Sequence, residues 1–191
     1  MNNSKYKTAK IVLNTAIVLQ RACKATLIPL GHDLLLKEAE VVVVTQALGG
    51  SYTVRTMNGQ LARIDARDSD ALGFASEPAP EQPQAAGPLD RQRVIDTLKT
   101  VFDPEIPVNV VDLGLVYVCE VHPLAGGGHQ VEIKMSMTAP GCGMGDVLKG
   151  DAQTKVAALD GVTDVDIEIV WEPPWDASRM SEAAQLQLGM L

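Results

Sequence analysis

The chain has 191 residues, with 46% hydrophobic residues, 4% aromatic residues and a formal net charge of −8. That length holds one domain or two small ones, and abundant Val, Leu and Ile with few rings favour two modest cores. A net acidic chain lacks the electrostatic footprint of a nucleic-acid binder, so neither DNA nor RNA is an expected partner.

The basic stretch at the start is the exception. Lys5, Lys7, Lys10, Arg21 and Lys24 precede Asp33, the first acidic residue. This pattern reads as a solvated tail or as a targeting segment. Ile11–Leu13 and Ala16–Leu19 are apolar, but Asn14, Thr15 and Gln20 interrupt them and no small-residue cleavage pattern follows. A membrane helix needs about 20 nearly unbroken apolar residues, and no stretch qualifies. The expectation is a cytoplasmic protein without a membrane partner, residues 1–20 forming an N-terminal extension.

Residues 21–74 read as a small all-β, barrel-like unit. Thr26–Ile28 is a short strand stopped by Pro29 and Gly31, and Leu34–Leu36 a second before a turn at Lys37-Glu38. Glu40–Gln46 is β-branched and short, as a buried strand should be. After the Gly49-Gly50 turn, Ser51–Thr56 faces Gln60–Asp65 across Met57-Asn58-Gly59. Asn-Gly between β-rich runs is a strong hairpin signal, because both residues tolerate positive φ. Four or five short strands with tight turns suggest a small barrel or sandwich of the SH3 or OB kind. Residues 75–88, dense in Pro, Ala and Gln, form a stiff linker with little to bury.

From residue 89 to 175 the pattern is α-β-β-α-β, making the whole an α+β protein. Asp90 caps a helix running to about Phe102, with Val94, Ile95, Leu98, Val101 and Phe102 on one face. Asp103-Pro104 stops it. Leu115–Val121 and Gln130–Met137 are strands around a Gly126–Gly128 turn. In the second, Val131, Ile133, Met135 and Met137 alternate with Glu132, Lys134 and Ser136. Residues 143–159 are helical, closed by Asp160-Gly161. Val165, Ile167 and Ile169 then alternate with Asp164, Asp166 and Glu168 in a third strand. A long helical crossover makes that strand parallel to a neighbour, giving a three-stranded sheet with two helices on one face and charge on the other. Residues 176–191 form a helical tail whose short helix from Ser181 favours docking on a partner or neighbouring subunit.

Chemistry concentrates in the loop Thr138-Ala139-Pro140-Gly141-Cys142-Gly143-Met144. It joins a strand end to a helix start, where unpaired N–H groups and the helix dipole lower a thiol pKa. Gly141 and Gly143 leave little bulk beside the Cys142 sulfur, which makes it a candidate functional thiol or metal ligand; the alternative is a small buried filler. Thr138 orients a ligand or ends the strand. Asp103 and Glu105, in a rigid proline turn, are a candidate hard-metal or acid–base pair, or else caps and solvated corners. Trp171 and Trp175 bracket a double proline and suit partner recognition, unless the rings fold back over the sheet. Cys119 reads as core and Cys23, beside basic residues, as a second candidate thiol. His32, His122 and His129 stand in turns without evident partners. Three dispersed cysteines without a CxxC pair argue against a disulfide scaffold or a private four-thiolate site. No phosphate loop or Ser-His-Asp set is present, and a thiol enzyme using Cys142 would lack an identifiable base.

Asp103–Tyr117 together with Thr138–Met144 resembles the metal–sulfur cluster biosynthesis domain. Ala25–Gly31, Thr45–Val54 and Trp171–Leu191 extend the likeness to the SufT family from about Gln20 onward. The resemblance implies an α-β-β-α-β domain and a non-enzymatic role in maturing iron–sulfur proteins. Cys142 is its motif thiol, Asp103, Glu105 and Thr138 line the same region, and Cys23 precedes the β unit. Ala22 departs from the pattern, where an acidic residue is expected. The implied cargo is a transient iron–sulfur cluster or iron, and the implied partners are other iron–sulfur assembly proteins and client apoproteins. One thiol cannot hold a cluster alone, which points to a homo-oligomer or a partner that completes the ligand set. The competing reading is a metal-free scaffold for client proteins.

Overall fold

The computed structural model describes residues 12–74, 89–139 and 143–190. The chain divides into two compact units, with the division between Glu81 and Gln82, inside the expected linker.

The first unit holds six strands: β1 Ala16–Val18, β2 Cys23–Ile28, β3 Asp33–Leu36, β4 Val41–Leu48, β5 Ser51–Thr56 and β6 Leu61–Asp65. They form one antiparallel sheet in the order β1-β4-β5-β6-β2-β3. The sheet is open, which corrects the barrel expectation. Its edge strands have three and four residues, too short for the tilt and stagger that closure demands. β1 lies within the stretch read as an extension. It pairs with β4 through Val18↔Val41 and Ala16↔Val43, and Leu19 beside it is buried with Val42, Val44, Val54 and Ile64. The predicted hairpin forms between β5 and β6, where Gly59 takes φ 81°. A 3-10 helix, Ala66–Leu72, closes the unit. The Arg21 guanidinium holds it, with Nε 2.7 Å from Asp70 Oδ2 and Nη2 2.8 Å from Asp68 Oδ1.

The second unit follows the predicted order: α1 Arg91–Leu98, β7 Val116–Pro123, β8 His129–Met135, α2 Gly145–Ala157 and β9 Val162–Ile169. β7 pairs antiparallel with β8, and β9 pairs parallel with β8, which is therefore central. Val131, Ile133 and Met135 of β8 are fully buried against the helices, while Glu132 and Lys134 point the other way. The Asp90 carboxylate caps α1 by accepting from Arg93 N–H at 2.9 Å. The helix ends at Leu98, four residues short of the expected Phe102. Val110 N–H donates to Val101 O and Phe102 bridges to Asn109, so this stretch pairs with the following loop. Val101 stays in the core nonetheless.

The tail packs on its own unit. Ser181 caps α3, Glu182–Gln187, by accepting from Ala184 N–H. Met180 and Ala184 join the core, and Gln187 Nε2 donates to Pro107 O at 2.7 Å. The approach depends on Gly114. This residue takes φ 70°, and a Cβ there would meet the Arg179 carbonyl oxygen at 2.2 Å. Because that neighbour is backbone, it cannot move aside cheaply. Gly114→Ala should lower the stability of this unit by about 2 kcal/mol or more and make the tail protease-sensitive. Gly126→Ala, which meets open space, should leave both unchanged in urea unfolding and limited proteolysis.

Candidate functional site

The end of β8 is gripped from both sides. Ser136 N–H donates to Leu115 O and Val170 N–H donates to Met135 O, both at 2.8 Å. Ser136 is 1% exposed, and its hydroxyl has no hydrogen-bond partner among the described residues. Met137 is buried beside the start of α2, where a Cβ on Gly145 would sit 3.6 Å from Met137 Cγ. Thr138 is half-buried, Ala139 exposed and Gly143 half-buried. Residues 140–142, and so Gly141 and Cys142, lie outside the described residues. The helix beyond has Met144 at its N-cap, without a side-chain cap. Its first-turn N–H groups thus receive no side-chain cap from Met144.

The acidic turn divides labour between its carboxylates. Asp103 is 8% exposed and accepts from Glu105 N–H at 2.8 Å and Ile106 N–H at 2.9 Å. Burial pushes its pKa up, and the two backbone donors offset this only in part. Asp103 is therefore the internal staple of the turn. Glu105 faces solvent, with its pKa raised by partial desolvation and then by the Asp103 charge. A second staple follows: Asn109 Oδ1 accepts from Val111 and Asp112 N–H, and Asn109 Nδ2 donates to Asp112 Oδ2 at 2.6 Å. Val108, Val110, Leu113 and Leu115 beneath these turns share one core with Met137. The structure thus seats the acidic turn and the strand end on common packing.

Other candidates fall elsewhere. Cys23 belongs to the first unit, is 3% exposed and has its pKa raised, chiefly by burial. Cys119 on β7 is buried and pushed up to about 11 by desolvation. Both are the opposite of an activated thiolate. Trp175 folds onto its own unit, donating from Nε1 to Leu113 O at 2.8 Å, whereas Trp171 stays 44% exposed. Arg179 lies 4.1 Å over the Tyr117 ring and helps fix this segment. His122 and His129 stand on strands, not in turns, and both have partners. His129 Nδ1 is 3.2 Å from Gly161 O, and His122 sits between Glu120 and Glu132. Sequence reading passed over Asn109 and Asp112, although Asn followed by N–H groups two and three residues on is an Asx-turn signal. Alternation along β8 also did not reveal the burial of Ser136 just past its end.

A family described as "Iron-sulfur cluster assembly protein" matches residues 91–169. The chain is 44% identical over 98 residues to the Fe-S protein maturation auxiliary factor of Porphyromonas gingivalis, covering 51% of this chain and 90% of that protein. It is 34% identical over 100 residues to the Fe-S protein maturation auxiliary factor YitW of Bacillus subtilis, covering 52% and 94%. It is also 34% identical over 90 residues to the Fe-S protein maturation auxiliary factor SufT of Staphylococcus aureus, covering 47% and 98%. The chain belongs to this SufT/YitW-like family of iron–sulfur cluster assembly proteins through its C-terminal half. The six-stranded unit lies before the matched residues. No helix among the described residues is long and apolar enough to cross a membrane.

Two outcomes test this geometry. Trp175→Phe removes the donor to a buried carbonyl and should cost about 1–2 kcal/mol, whereas Trp171→Phe should stay within about 0.5 kcal/mol in urea unfolding. Asp103 has a folded pKa above its unfolded one. Its contribution is therefore full below the ordinary carboxylate value and lost as pH rises through the raised folded value. Asp103→Asn keeps an acceptor for the two N–H groups and removes the titration. Stability measured across that pH window should be flatter in the variant than in the wild type.

Proposed function

We propose that this chain acts in the maturation of iron–sulfur proteins, as a carrier or adaptor between assembly proteins and client apoproteins in the cytoplasm. The observation that supports this reading is the 44% identity to a maturation auxiliary factor along 90% of that protein's length. In this reading residues 89–175 carry the cluster chemistry and Cys142 is the working thiol. Its sequence neighbours Gly141 and Gly143 add no side chain beside it, Thr138 lies at the loop entrance, and Asp103 shapes the acidic turn. The buried, high-pKa thiols Cys23 and Cys119 are unsuited to the same work, which supports assigning it to Cys142.

A single thiol supplies one of the four ligands of a common cluster. A carrier therefore draws further thiolates from a second copy of the chain or from its partner. Partial ligation also favours release, since a complete private cage would retain its cargo. The protein turns over no substrate in this reading; it holds and hands on a transient cluster or iron. A second reading, a metal-free interaction scaffold, is favoured by the exposed Trp171–Pro174 segment.

The test is complementation of cells lacking the protein, with wild type or Cys142→Ala, measuring the activity and abundance of an iron–sulfur enzyme such as aconitase. The carrier reading expects low specific activity in the null strain and no rescue by Cys142→Ala at equal polypeptide abundance. Full rescue by Cys142→Ala would favour the scaffold. No cluster defect in the null strain under oxidative or iron-limited growth would contradict both.

A further inference from the structure

The sheet face opposite the helices carries a set of ligand-type side chains that the family motif does not use. Glu120 and His122 are two residues apart on β7 and so project to the same side. Glu132 on β8 stands directly across from Glu120, with His122 on the diagonal. His122 Nε2 lies 3.4 Å from Glu120 Oε2 and 3.6 Å from Glu132 Oε2, and one ligand atom from each residue lies within 4.8 Å of the others. Two ligands bound at about 2.0–2.2 Å around a tetrahedral ion stand about 3.4 Å apart. The imidazole is thus already at coordination spacing from both carboxylates.

The bland alternative is a pair of surface His–Glu contacts, worth at most about 1 kcal/mol. The register argues for more. Glu120, Glu132 and Asp166 occupy a single rung across all three strands, and like charges directly opposite destabilise a sheet. Lys134 relieves this only partly, because it is shared between Glu132 and Glu168. It also contacts Glu132 through Oε1, at 3.7 Å, which leaves Oε2 turned to His122. That is the arrangement of an outer-shell group fixing a ligand's orientation. Independently of the charges, Glu120 and His122 line an open groove of about 490 Å³ along the side of β7, between Arg91 and His129.

We infer that Glu120, His122 and Glu132 form a binding site for a divalent transition-metal ion of the zinc or ferrous type, with one imidazole nitrogen and two carboxylate oxygens as ligands. Nitrogen and oxygen donors suit these ions, and three protein ligands leave a position open for exchange. Glu120, His122 and Glu132 lie on β7 and β8, outside residues 138–144, and this ligand set does not depend on the role proposed for Cys142.

The experiment is a Co²⁺ titration of the full chain, followed by visible and near-ultraviolet absorption and by calorimetry. The expected result is saturation at one equivalent, with d–d bands and without a thiolate-to-metal band. His122→Ala and Glu132→Gln should each weaken binding at least about tenfold, while Cys142→Ala leaves it unchanged. The three side chains are 46%, 59% and 37% exposed for His122, Glu120 and Glu132, so these variants leave the core intact, which circular dichroism checks. Unchanged affinity in His122→Ala, a thiolate band lost in Cys142→Ala, or no saturation by about 1 mM Co²⁺, the millimolar weak-site range, would each overturn the inference.

Discussion

The parallel pairing of β8 with β9 is the constraint on which the second unit depends. Parallel neighbours cannot be joined by a tight turn, so the chain must leave the end of β8, cross the sheet as α2 and return to β9 at the opposite end. A strand end leading straight into a helix start is the unavoidable by-product. Residues 138–144 occupy that junction. The hydrogen bonds Ser136–Leu115 and Val170–Met135 hold the strand end within the sheet, and Met137 packs on Gly145 at the helix start.

The rest of the unit reinforces the same end of the sheet. The acidic turn is stapled internally by Asp103 and Asn109. The C-terminal segment then closes over residues 111–117. Trp175 donates to Leu113 O, Ser181 N–H donates to Asp112 O, and Arg179 stacks on Tyr117. Gly114 permits the close approach of backbone to backbone. A tail of this length would be marginal as an isolated helix; here it is held by core contacts from Met180 and Ala184.

Much of this was legible in the sequence. Alternation along Val131–Met135 and Val165–Ile169 gave the strands and their buried face. The helical spacing between them gave the parallel crossover, and Asp90 marked the helix start. What escaped reading depended on partners distant in the chain. Ala16–Val18 is too short to show alternation and becomes a strand only because β4 receives it. Val101 and Phe102 carry helical spacing, yet pairing with Asn109 and Val110 outcompetes one more helical turn. The open edge of the first sheet is a matter of strand length and order, which turn signals do not specify. The pairing of His122 with two glutamates required the register of β7 on β8.

The account assigns the three cysteines opposite characters. Cys23 and Cys119 are buried thiols whose pKa values burial raises, and Cys142 is the thiol proposed to work. Site-resolved alkylation tests this most directly: the folded chain is treated with iodoacetamide near pH 7 and modification at each cysteine is followed by mass spectrometry over time. The account predicts rapid modification at Cys142, with Cys23 and Cys119 reacting only on unfolding. Labelling of Cys23 or Cys119 as fast as Cys142, or protection of Cys142 in the folded chain, would contradict it.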